Sequence, residues 1–143
     1  MKSAAMPIEY HICVALDLCY ARWWGSVTLE DARLNFETYL EDPQYRPGRR
    51  ELIDIRELSG PGMAPADILH LLDRINDQAF PNGHGTQMVV LAGSDLSYGL
   101  ARRFEGHASL RDGVRSCTVR DERAALDAFG LEFQSIRAML ESQ

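Results

Sequence analysis

A chain of 143 residues can bury a sizeable core in one compact domain, and its 45% hydrophobic and 25% charged residues suit an ordinary globular protein. The net charge of -6 argues against nucleic-acid binding, which needs clustered Lys and Arg; the arginines from Arg102 to Arg123 are interleaved with Glu105, Asp112, Asp121 and Glu122. No run reaches the ~20 apolar residues of a membrane-spanning helix, and MKSAAMPIEY has no apolar signal-peptide core, so the expectation is a cytoplasmic protein.

Ile8, Tyr10, Ile12, Val14 and Leu16 alternate with His11, Cys13 and Ala15, the period-two pattern of a strand. A second strand runs from Cys19 to Trp24 and ends at Gly25. Asp17-Leu18 lacks the Asn-Gly or Asp-Gly of a tight hairpin, yet two strands fit better than one long bent one. Thr28 can cap a helix whose first turn carries Glu30 and Asp31 and whose stripe is Leu29, Ala32, Phe36 and Leu40. That helix stops before Pro43, and QYRPGRR makes a basic turn.

The pivotal strand, Glu51 to Arg56, holds Leu52, Ile53 and Ile55 around Asp54, and breaks at Ser59-Gly60-Pro61-Gly62. Pro65 suits a first helical position, followed by Ile68, Leu72, Ile75 and Ala79 on one face, with a stop at FPNGHG. Thr86 to Ala92 reads as a strand buried on both faces. Ser94 can cap a short helix bearing Leu96, Leu100 and Phe104, Gly106 to Gly113 is a loop, and Val114 to Val119 is a weaker strand near an edge. Asp121 caps a final helix with Leu126, Phe129, Phe133, Ile136 and Leu140 as a seam, which Gly130 interrupts.

The order β-β-α-β-α-β-α-β-α predicts a single α/β domain over residues 1–143, with 131–143 as a C-terminal helical extension. Its sheet is expected to be mixed and mostly parallel, with ligands or partners docking in the crevice where strands end and helices begin.

Three stretches in order, WWGSVTLED, YLEDPQYRPGRRELIDIREL and VVLAGSDLSYGLARRFE, resemble the bacterial SpoIIAA-like proteins, which are grouped with STAS and SEC14-type domains. The resemblance spans roughly residues 8 to 130. It implies a four- to five-stranded sheet with helices packed mainly on one side, no established catalysis, and a homodimer. The best understood relatives are switched by phosphorylation of a Ser or Thr at the start of the helix after the pivotal strand. Here that start reads Met63-Ala64-Pro65-Ala66, without a hydroxyl, and Ser59 is the nearest. The departure speaks against the phospho-switch, since a phosphate acts on the helix N-terminus electrostatically.

Chemistry-bearing patterns are sparse. Ser94 in AGSDLSYG lacks the G-x-S-x-G spacing of a nucleophile elbow and reads as a cap. His11, His70, His84 and His107 form no ligand spacing, and Cys13, Cys19 and Cys117 form no CxxC, so no metal site or disulfide framework is expected. Gly60-Pro61-Gly62 and Gly83-His84-Gly85 are turns without a phosphate-loop pattern, so no cofactor is expected. Adjacent Trp23 and Trp24 must point to opposite faces; one of them, with Phe133, Ile136 and Leu140, is the interface candidate.

Asp54, Arg56, Ser59, Ser94, Tyr98 and Arg102 are the candidate binding cluster, against a reading as surface ion pairs and caps. The function these features imply is a non-enzymatic regulatory or protein-interaction module, with a regulatory protein or a second copy as partner. The alternative is a SEC14-like carrier of a small apolar or lipid ligand, which needs an enclosed apolar pocket between sheet and helices.

Overall fold

The computed structural model describes residues 7–59, 64–79, 85–110 and 113–143. The Gly60–Gly62 turn, Met63, and the FPNGHG stop as far as His84 lie outside these residues. Five strands form one sheet: β1 (Ile8–Cys13), β2 (Leu18–Gly25), β3 (Arg50–Leu58), β4 (Thr86–Leu91) and β5 (Val114–Val119), in spatial order β1-β2-β3-β4-β5. β1 pairs antiparallel with β2, and the remaining pairs are parallel. The mixed, mostly parallel α/β sheet is the expected one, with β5 at an edge.

The alternation through Val14 and Leu16 does not extend the first strand. Val14–Leu16 is a turn of 3-10 helix, and Asp17 sits at φ 51. Asp tolerates this left-handed conformation, and Arg46 and Arg49 hold its carboxylate. Cys13 then faces Leu18 in register, and Val14 is left exposed.

α1 (Leu29–Glu41) opens with a capping box: the Asp31 amide donates to the Thr28 hydroxyl at 3.1 Å, and the Thr28 amide to the Asp31 carboxylate at 3.0 Å. α1, α2 (Pro65–Ala79) and α3 (Asp95–Ala108) cover one face of the sheet through Phe36, Ile68, Leu72 and Ala101 against Ile55, Met88 and Val90. α3 runs through Gly106, two residues past the expected loop start.

The opposite face carries Leu18, Tyr20, Leu52, Val89 and Leu91, covered by α4 (Glu122–Ala128) and α5 (Ile136–Glu141). The single final helix of the sequence reading is therefore two. Gly130 at φ 69 ends the first, with the Leu131 amide donating back to the Leu126 carbonyl at 2.9 Å. Ser135 caps the second, so the helical phase restarts: Met139, not Leu140, is fully buried beside Ile136, and Phe133 sits half-buried in the connection. The C-terminal segment packs on its own sheet.

Candidate functional site

The predicted polar cluster divides into two structural networks. Asp54 is buried on the α4–α5 face of β3, where it accepts from Tyr20 Oη at 2.7 Å and from Arg56 Nε at 3.0 Å and NH2 at 2.8 Å. Arg56 NH1 donates to Glu122 at 2.8 Å, and the other Glu122 oxygen accepts the Ile136 amide at 2.8 Å. Burial pushes the Asp54 carboxyl up, but the hydrogen bonds from Arg56 and Tyr20 outweigh it and leave it lowered. The Ile136 amide and Arg56 lower Glu122 as well. The chain of contacts ties the start of α4 and the start of α5 to the sheet.

Ser94 and Tyr98 belong to a second group at the N-terminus of α3. The Ser97 amide donates to the Ser94 hydroxyl at 3.1 Å, and the Ser94 amide donates to the Ser97 hydroxyl at 3.1 Å, closing the cap. Arg120, absent from the sequence reading, stacks 4.9 Å over the Tyr98 ring and donates to the Gly93 carbonyl at 2.9 Å. Arg102 turns to Glu105 at 2.8 Å, and Ser59 is exposed, its amide donating to the Gly25 carbonyl. The two groups come close at Gly93, where a Cβ would lie 3.3 Å from the Arg56 backbone.

Trp23 packs partly buried against the α1–α3 core, whereas Trp24, on the other face, lies 4.5 Å beneath the Arg22 guanidinium. An open groove between β1, β2 and α5 has His11, Tyr20, Arg56 and Leu140 in its wall.

The more telling feature lies on the opposite side of the sheet. Between it and α1–α3 is a cavity of about 100 Å³ with a mostly apolar wall, which includes Trp23, Phe36, Leu71, Val90, Ala101 and Phe104. Into it projects Glu51, placed on the central strand with Cys19 and Met88 as register partners. Glu51 keeps accessible area despite its depth, because that area is cavity wall. No hydrogen bond or ion pair reaches its carboxyl among the described residues, and desolvation raises it to about 7.

The hydroxyls of Tyr39 and Tyr45 are buried without hydrogen-bond partners. Tyr39 lines the cavity and stands edge-on between Tyr10 and Tyr45, at 5.3 and 4.9 Å. Its phenol is pushed up by burial first and by Glu51 second. The Cys19 thiol is near enough to sense that hydroxyl but lacks hydrogen-bond geometry with it.

Sequence reasoning passed over Glu51 by treating it as the edge of an apolar run. The period-two rule did carry the signal: Glu51 shares a face with Ile53 and Ile55, and Asp54 faces the other way. Among the described residues no group of His, Cys, Asp and Glu is placed to hold a metal ion, and no helix is long and apolar enough to cross a membrane.

No family model and no curated protein matches the chain. Among solved structures it is similar to an uncharacterized protein of the DUF3478 family with a SpoIIAA-like fold from Shewanella loihica PV-4, at 23% identity and a TM-score of 0.56, covering 90% of this chain and 98% of that one. The match agrees with the strand order and helical cover described above: the chain adopts a SpoIIAA-like fold.

Proposed function

We propose that this protein acts by binding, without turnover, and that it carries a small, mostly apolar molecule between its sheet and the α1–α3 layer. The observation that supports this reading is the cavity itself. Protein interiors pack to crystal-like density, and voids larger than a water are few. Here a partly open cavity lies beside a carboxyl and a tyrosine hydroxyl that lack hydrogen-bond partners among the described residues, and an occupant would satisfy both. Binding is favoured over catalysis because Ser94 closes a helix cap and Asp54 is occupied by Arg56 and Tyr20.

A regulatory or protein-interaction role, as a homodimer or with another protein, is the second reading, and it draws on the SpoIIAA-like fold. Native mass spectrometry of gently purified protein, beside its denatured mass, separates the two. The carrier reading expects extra mass that is lost on denaturation. A dimer without added mass would favour the interaction module instead.

A further inference from the structure

The cavity is chemically lopsided. Its wall is mostly apolar and aromatic, with Asn35, Cys19, Tyr10 and Tyr39 as its other polar side chains, and no hydrogen bond or ion pair reaches the acidic group it holds, Glu51, among the described residues. A carboxylate withdrawn from water is stabilised by a cation or by hydrogen-bond donors, and it disfavours a second carboxylate. Aromatic walls such as Trp23, Phe36 and Phe104 add attraction for a positive head and apolar contact for the rest.

We propose that the occupant is a small apolar amine, its ammonium donating to the Glu51 carboxylate and to the free Tyr39 hydroxyl, and its hydrocarbon portion filling the space between β2–β4 and α1–α3. The inference rests on the carrier reading and names the class of its ligand. The cavity, at about 100 Å³, is smaller than an engineered void of about 150 Å³ that holds benzene, so it suits a slender alkyl chain that can reach its open side.

The groups around Glu51 leave it as the one that changes charge near neutrality. Cys19 on β2, Tyr10 on β1, Tyr39 on α1 and Tyr45 in the α1–β3 connection are all pushed upward and stay neutral. Arg49 in the same connection is engaged by Asp17 and by the Gln44 carbonyl at 2.9 Å, while its Nε is buried without a hydrogen-bond partner. Met88 on β4, Ile68, Leu71 and Ile75 on α2 and Leu100 and Ala101 on α3 contribute apolar surface. The amine-binding form is the one with Glu51 ionised, so amine affinity rises with pH through the neutral range.

The test is calorimetric titration of the full chain with n-hexylamine, n-hexanol and hexanoate at pH 6 and pH 8. n-Hexylamine should bind most tightly of the three, and about tenfold more tightly at pH 8 than at pH 6, as the ionised fraction of Glu51 rises. n-Hexanol should bind more weakly with a flat profile. Glu51→Gln should remove the pH dependence for the amine and weaken its binding at pH 8 by about tenfold or more, while n-hexanol keeps its flat pH profile.

Equal binding of n-hexanol and n-hexylamine without pH dependence would overturn the amine assignment and leave the carrier reading standing. Tighter binding of hexanoate, strengthening below pH 7, would do the same. Binding of none of the three would overturn both.

Discussion

Glu51 and Asp54 share one strand, face opposite layers, and show what partners do to a carboxyl. Asp54 has an arginine and a phenol within hydrogen-bond reach and is held low; Glu51 has neither and is raised to about 7. A raised folded-state value means that the folded protein holds its proton more tightly than the unfolded chain. The contribution is therefore fully present below the unfolded value of 4.5 and is lost as pH rises through about 7. The loss amounts to about 3 kcal/mol in the ligand-free protein. Glu51→Gln is expected to be more stable than the wild type at pH 8 and to lack this slope, as read by urea unfolding across pH 4–9. For Asp54 the sign is opposite: its stabilisation is present above the unfolded value and fades as pH falls. Arg56→Leu takes the arginine from the buried Asp54 charge and leaves Tyr20 and a backbone amide as its donors; with the guanidinium itself half-exposed, the cost should be about 1–3 kcal/mol at pH 7 in the same assay.

At the scale of elements, the two helical layers are built differently. α1 and α3 are long, open with reciprocal caps, and bury one stripe each. α4 and α5 are short pieces separated by Gly130, and helices of that length are marginal alone. They hold because Leu126, Phe129, Ile136 and Met139 bury against the sheet and because Glu122 joins Arg56 to the Ile136 amide. Removing residues 131–143 uncovers part of that face. Losing the burial of Ile136 and Met139 alone should cost about 3–6 kcal/mol, with a lower urea midpoint as the measurement. The same contacts explain why the C-terminal seam, read from sequence as an interface candidate, is largely occupied within its own chain.

The sheet divides a layer with a cavity from a layer whose buried core holds Leu18, Leu52, Val89, Leu91 and Leu126. Ala101 lines the cavity, whereas Ala125 is fully buried in the α4–α5 core. Ala101→Leu is expected to keep or raise the melting temperature, because its added methylenes enter empty space, and to abolish ligand retention in native mass spectra. Ala125→Leu should lose about 1–3 kcal/mol through overpacking. The order of the five strands and of α1 to α3, the caps at Thr28 and Ser94, the edge position of β5 and the SpoIIAA-like fold were legible in the sequence. The elements and caps follow from local periodicity, from cap chemistry and from the short connections that link parallel strands, whereas the SpoIIAA-like fold was implied by the resemblance of three sequence stretches.

Four things were decided only by the tertiary structure. Asp54 was engaged by Tyr20 and Arg56 while Ser94 closed the α3 cap; Arg120 was brought onto Tyr98; the helical phase beyond Gly130 was reset by the Ser135 cap so that Met139 is buried; and Glu51 was set against a cavity. Periodicity tells which face of a strand a side chain takes. Whether that side chain meets a partner or an empty space depends on how distant helices fill the layer above it, and that is a property of three-dimensional packing.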